Sequence, residues 1–264
     1  MSKPETEAMD PFVVWLLKQA GLEARAYRPG VLRRRLPTCL RVLRASSTEA
    51  ARKTLESQPE LVSQAVSPLL IGVSEFFRDR PVFQHLQTAI LPERLKSRGG
   101  LRVLSAGCSE GQELYSIAML LDQLGGLERS YLLGVDCRPE AIAQAQAGWF
   151  PTAALAGVDP FWRERYFQVA GAQARVSAGL RKKTCWAAGN LLSLDTGHPR
   201  GDWDLILCRN LAIYLESSQA NQLWQRLSAQ LAPGGWLVTG KAEQPPSSLT
   251  LARMSPCFYR KTDE

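Results

Sequence analysis

The apolar positions change rhythm once along the chain. Over residues 1–90 they recur at helical spacing, and from about residue 100 short apolar runs alternate with amphipathic stretches. In the first part, Phe12, Val13, Trp15, Leu16 and Leu17 form an apolar face. Asp10 before Pro11 reads as an N-cap with proline at the first helical position, and Gly21 closes the helix. A second helix is expected from Pro29, with Leu32, Leu36, Leu40 and Leu43 on a core-facing arc. Pro37 should kink or interrupt it. Ser46-Ser47-Thr48-Glu49 reads as a capping box for a third.

In the second part the pattern predicts strands over 101–106, 131–136, 204–208 and 236–240, with an edge strand over 257–261. Helices are expected over 112–124, 139–147 and 217–231, and Pro233-Gly234-Gly235 as a turn. Strand-helix alternation of this kind implies an α/β fold, a doubly wound parallel sheet with helices on both faces. Short strands over 165–169, 174–177 and 184–186 break the alternation, as a small antiparallel β insertion at about 160–188 or as an irregular loop. The expected domains are a helical N-terminal domain over 1–90 and a sheet domain over 91–264.

Composition narrows the function classes. Apolar residues make up 45% and charged residues 22%, an ordinary globular balance. No apolar run approaches the ~18 residues of a spanning helix, and the first twenty residues lack a secretory pattern. A cytoplasmic protein without membrane insertion is expected. The six cysteines form no C-x-x-C pair, and His85 and His198 are the only histidines. Free thiols fit this better than a zinc site or a disulfide scaffold, and no metal is expected.

Lys plus Arg number 32 against 25 Asp plus Glu, a formal +7. The excess concentrates in residues 24–48, which hold Arg25, Arg28, Arg33, Arg34, Arg35, Arg41 and Arg44 and no acid. On a helical projection Arg33, Arg34, Arg41 and Arg44 face outward. They form either a solvated face or a dock for an acidic surface, since guanidinium groups fork onto carboxylates.

The candidate chemistry sits at strand ends. The first strand ends in Ser105-Ala106-Gly107-Cys108-Ser109-Glu110-Gly111, where two glycines let backbone approach a ligand and the next helix offers free N–H groups. It lacks the third glycine of the dinucleotide fingerprint. The second strand ends in Asp136, an acid suited to ribose hydroxyls or to capping the next helix. Together they suggest an adenosine-type cofactor, and S-adenosylmethionine fits better than NAD.

These residues bring the chain to a family. Ser74-Glu75-Phe76-Phe77-Arg78-Asp79 resembles the T-x-F-F-R-D segment of the chemotaxis receptor methyltransferase (CheR) family, and residues 105–116 resemble its S-A-x-C-S-T-G-E-E-P-Y-S loop. Asn190-Leu191-Leu192, Cys208-Arg209-Asn210 with Ile213-Tyr214, and Gly240-Lys241-Ala242-Glu243 resemble its N-L-L, C-R-N-V-x-I-Y-F and G-H-S-E motifs, in the same order. The resemblance covers nearly the whole chain. It implies a Rossmann-like S-adenosylmethionine-dependent methyltransferase sheet and transfer of methyl to glutamate side chains of chemoreceptors, a protein-glutamate O-methyltransferase. By the same resemblance, Arg78 and Tyr214 match methyl-transfer positions. Ser74, Glu113, Asp136, Asn190, Leu191 and Asn210 match cofactor-holding positions, beside Gly107 in the loop. Arg33, Arg34, Arg41 and Arg44 would face the acidic methylation helices of the receptor's cytoplasmic domain. Gly72, Glu110, Gln112, Leu114 and Lys241 depart from the family pattern.

Two other readings are weighed against this one. The departures motivate an adaptor that binds receptor or cofactor without turnover. The +7 charge motivates a nucleic-acid methyltransferase, against which Arg209-Asn210-Leu211-Ala212 stands where an N-P-P-Y type strand end would be. Nucleic acid is therefore not an expected partner.

Overall fold

The computed structural model describes residues 8–70, 74–192 and 201–262. Gly72 and His198 lie outside them. The chain divides into two compact units, Met1–Gly72 with Ala212–Ala220, and Val73–Leu211 with Asn221–Glu264.

The first unit is helical. The helix Pro11–Gln19 starts where Asp10 accepts the N–H groups of Phe12 and Val13, and it buries Phe12, Val13, Leu16 and Leu17. The arginine-rich stretch forms two short helices, Pro29–Arg33 and Leu36–Val42. Pro37 sits in the first turn of the second, so the expected single helix is interrupted just before it. Leu32 and Cys39 are buried; Leu36, Leu40 and Leu43 are half-buried; Arg33, Arg34, Arg41 and Arg44 are exposed. The helix Thr48–Ser57 is capped by Ser47, whose hydroxyl accepts the Ala50 N–H at 3.2 Å. Glu49 therefore sits one position early for a reciprocal capping box. Val62–Leu70 completes the bundle. The returning segment pairs with it: the Arg28 N–H donates to Tyr214 O at 3.0 Å, and Tyr27 bridges Leu215.

The second unit holds ten strands among the described residues: β1 Arg102–Ala106, β2 Tyr131–Asp136, β3 Trp149–Pro151, β4 Phe167–Ala170, β5 Gln173–Val176, β6 Thr184–Ala188, β7 Trp203–Cys208, β8 Leu231–Thr239, β9 Leu251–Ser255 and β10 Phe258–Lys261. Seven form one sheet in the order β6-β2-β1-β7-β8-β10-β9, flanked by helices. Neighbours from β6 to β8 are parallel, and β10 is antiparallel to both β8 and β9. The parallel strands are apolar on both faces, as a covered sheet requires; every residue of β7 is buried. This is a Rossmann-like α/β architecture. Residues 80–90 lead into the helix Leu91–Arg98, and Phe76, Val82, Phe83, Leu86 and Ile90 belong to the core of this unit.

Three expectations are corrected. The small antiparallel sheet is β3-β5-β4, so its third member is Trp149–Pro151. Thr184–Ala188, read as part of the insertion, is the parallel edge strand of the main sheet. The strand over 258–261 is not the edge, because β9 pairs outside it. The turn at Gly234 lies inside β8, where the register against β7 shifts. No helix among the described residues is long and apolar enough to cross a membrane.

Candidate active site

Register builds the site. Asp136 pairs with Ala188, Ser105 with both Gly134 and Leu207, and Cys208 with Thr239. The strands thus end together, and the segments beginning at Gly107, Cys137, Gly189, Arg209 and Gly240 share one rim of the sheet. Ligands bind at this carboxyl edge in parallel α/β sheets.

The first segment turns sharply. Gly107 and Gly111 have φ of 80° and 96°, and Ser109 between them 53°. A Cβ on Gly111 would lie 2.6 Å from the Trp186 ring, so both the turn and the packing need glycine there. Ser109 donates its N–H to Asp136 Oδ2 at 2.9 Å. Asp136 is buried and also accepts from Arg138, through its backbone N–H at 3.1 Å and its Nε at 3.0 Å. The Arg138 guanidinium reaches the Ser109 hydroxyl at 3.0 Å, closing a ring between two strand ends. The N-cap position of the next helix is Arg138, not Asp136. The departures Glu110 and Gln112 bond each other at 3.2 Å, and Leu114 is core.

A second cluster joins distant segments. Ser105 donates its hydroxyl to Glu113 Oε1 at 2.8 Å, and Arg209 Nη1 donates to Glu113 Oε2 at 3.1 Å. Arg209 Nη2 donates to Asp79 Oδ2 at 2.6 Å and to the Arg78 carbonyl at 3.0 Å. Lys241 pairs with Asp79 Oδ1 at 2.8 Å. The Lys241 hydrogen bond holds the Asp79 carboxyl below its ordinary range, against partial burial and with help from Arg209.

A third cluster ties two rim segments. Glu243 accepts the N–H groups of Asn210 at 2.7 Å, Leu211 at 2.9 Å and Gly240 at 2.8 Å. Asn210 is held at φ 57°. Phe77 and Asp79 flank Arg78 at φ 54° and 59°. Left-handed backbone costs about 1–2 kcal/mol per non-glycine residue, so these segments keep their shape only because the surrounding bonds impose it.

A family model for the CheR methyltransferase, SAM binding domain, matches residues 72–257. The chain belongs to the CheR methyltransferase family. Over 248 residues it is 30% identical to the chemotaxis protein methyltransferase of Listeria monocytogenes serovar 1/2a, covering 93% of this chain and 94% of that one. Over 193 residues it is 33% identical to chemotaxis protein methyltransferase 1 of Pseudomonas aeruginosa, covering 69% and 70%. Over 182 residues it is 31% identical to a probable biofilm formation methyltransferase, WspC, of Pseudomonas putida, covering 67% and 43%. The chain is thus a CheR-family methyltransferase that uses S-adenosylmethionine.

The rim fits that cofactor. Asn210 Oδ1 is buried with no hydrogen-bond partner among the described residues, an acceptor awaiting a donor. Gly107 exposes backbone at the turn, and Glu113 is partly exposed beside it. Asn190 bonds the Leu192 N–H through its own Oδ1 at 2.9 Å, and Leu191 is buried. Ser74 is half-buried. Arg78, Gly107, Glu113, Asp136, Asn190, Leu191 and Asn210 all lie in the sheet unit; Tyr214 and the four exposed arginines lie in the helical unit. There the Arg35 guanidinium sits 4.9 Å from the centre of the Tyr214 ring.

No group of three metal-ligating side chains occurs among the described residues. Burial pushes the Cys39 thiol up to about 11 and Cys137 up to about 12, and it raises Cys108 and Cys208 as well, so none is a thiolate nucleophile at neutral pH.

Sequence reasoning assigned no role to Arg138, Arg209 or Glu243, although two of them stand inside quoted motifs. An arginine directly after the apolar run Leu205–Cys208 is the one signal that could have marked Arg209, since such a residue begins at the sheet's rim.

Proposed function

We propose that this CheR-family chain is a cytoplasmic protein-glutamate O-methyltransferase acting on the cytoplasmic domains of chemoreceptors. When bound, S-adenosylmethionine supplies a methyl group on a sulfonium sulfur, whose positive charge disappears as a glutamate oxygen takes the methyl, giving a glutamyl methyl ester and S-adenosylhomocysteine. A glutamate side chain ionises near pH ~4.3, so it is already a nucleophilic anion and needs no general base. The enzyme's work is to orient it and strip it of water. Arg78 orients the carboxylate through a guanidinium N–H, and Tyr214 matches the family's second methyl-transfer position. Glu113, Asp136, Asn190, Leu191, Asn210, Ser74 and Gly107 hold the cofactor.

The observation that carries this reading is the tether of the Arg78 segment to the sheet rim, through Arg209 to Glu113. It joins the motif assigned to transfer with the motif assigned to the cofactor. The exposed face of Arg33, Arg34, Arg41 and Arg44 suits the acidic methylation helices of receptors, where clustered guanidinium groups meet carboxylates.

The test is a transfer assay with labelled cofactor and purified receptor cytoplasmic domains, followed by mapping of the esterified residues. Wild type should esterify glutamates. Arg78→Ala should abolish transfer while S-adenosylhomocysteine binding, read by calorimetry, stays within about fivefold. Full activity in that variant would remove Arg78 from the reaction. No heat with S-adenosylhomocysteine at millimolar concentration would point to an adaptor instead, and label on RNA or DNA to a different acceptor.

A further inference from the structure

Arg78 is flanked by two non-glycine residues in left-handed backbone, Phe77 and Asp79. Asp tolerates left-handed backbone, but Phe77 has no such preference, so the shape of this turn must be held from elsewhere. Ser116 supplies one point, its hydroxyl accepting the Phe77 N–H at 3.0 Å. Backbone bonds from Arg78 N–H to Glu75 O and from Val82 N–H to Asp79 O add two more, and one buried side chain reaches both Arg78 and Asp79. Arg209 donates to the Arg78 carbonyl and to the Asp79 carboxylate, and its other terminal nitrogen donates to Glu113. Its side chain is only 2% exposed, and its guanidinium lies 5.6 Å from the centre of the Phe83 ring. Solvent screening of these pairs is therefore weak.

A guanidinium is planar and its N–H directions are fixed, so three acceptors bound to one such group are held in a set geometry relative to each other. The three here are the backbone of the transfer arginine, the acid that follows it, and the acid assigned to the cofactor. The geometry points to Arg209 as a positioning residue that sets the placement of Arg78 relative to the cofactor site. This rests on the reading of Arg78 as the transfer arginine. Arg209 touches no reacting atom in this role. It keeps the strained turn closed and transmits the position of Glu113 to the Arg78 backbone. Lys241 supports it from the other side by pairing with Asp79 Oδ1, and its own exposure of 71% makes it the weaker restraint.

The proposal predicts a split between binding and rate. Misplacement of a reacting group by about 1 Å can cost about 100-fold in rate. Arg209→Gln should lose about that much in methyl transfer per bound cofactor, while S-adenosylhomocysteine affinity shifts by less than about tenfold. Arg209→Lys, which keeps the charge but not the planar fork, should recover only part of the rate. Asp79→Asn removes the charge from one arm, since its amide oxygen can still accept, and leaves Arg209 in place; it should lower the rate per bound cofactor in the same direction, with affinity unchanged.

Calorimetric titration counts the binding-competent sites, and the transfer rate is divided by that count, so loss of folded protein alone would leave the quotient unchanged. A normal quotient in Arg209→Gln overturns the proposal. If Arg209→Gln does not fold, a normal quotient in Asp79→Asn overturns it. Arg78→Ala is run alongside: if it is inactive while the other variants are normal, the transfer reading stands and only the positioning role falls. If Arg78→Ala is fully active, both fall together.

Discussion

Glu243 shows how one side chain shapes this rim. It is 5% exposed and accepts three backbone N–H groups, two from the end of β7 and one from the end of β8. Removing the carboxylate would strand those donors, and each unsatisfied buried group costs about 1–3 kcal/mol. Glu243→Ala should therefore lower unfolding free energy by about 3 kcal/mol, read from urea midpoints at constant slope. A loss under 0.5 kcal/mol would show that water replaces the carboxylate at little cost. At this scale the sequence was readable by motif and not by partner. Glu113, Asp136 and Asn210 stood in quoted motifs, yet Asp136 shares its oxygens with Arg138 and Ser109, and Glu113 with Arg209 and Ser105. Arg209 lies 96 positions from Glu113 and 130 from Asp79, and no local pattern encodes pairs that far apart.

The helices of the arginine-rich stretch raise a question about elements. Leu32 and Cys39 are buried while Arg33, Arg34, Arg41 and Arg44 are exposed, so the split into two helices preserves a basic outer face. If that face docks an acidic receptor helix, reversing Arg34 and Arg41 to Glu should raise the apparent KM for receptor about tenfold or more, because like charges then face each other. The KM for cofactor should not move. An unchanged receptor KM would mean the face is merely solvated. Strands with long apolar runs were legible because both faces are covered, as in β2 and β7. Thr184–Ala188 has the same local pattern whether it pairs within a small sheet or along a large one, so its placement needed the pairing with β2. β9 is half-buried to exposed along its length, with no alternation to announce it.

At the scale of the whole molecule, ion pairs at the rim link stability to pH. The Asp79 carboxyl titrates below its ordinary range because Lys241 bonds it and Arg209 lies near. The folded state then binds that proton less readily than the unfolded state. Its stabilisation is complete above the unfolded value, about 3.9, and fades as pH falls through the lower folded value. Melting temperatures of wild type and Asp79→Asn should differ by a constant amount from neutral pH to about pH 5 and converge below about pH 4. A gap that persists undiminished at pH 3 would assign the stabilisation to something other than this charge. The order of apolar and polar positions was enough to establish a helical first part, an α/β second part, the rim motifs and the surplus of arginine. Those follow from local preference, periodicity and side-chain chemistry, which any segment carries with it. Which strand lies beside which, how the left-handed turns at Phe77, Asp79, Ser109 and Asn210 are held, and that Arg209 joins three motifs were settled by folding alone. Those depend on contacts between residues far apart in the chain, and such contacts exist only once the parallel strands have taken their register.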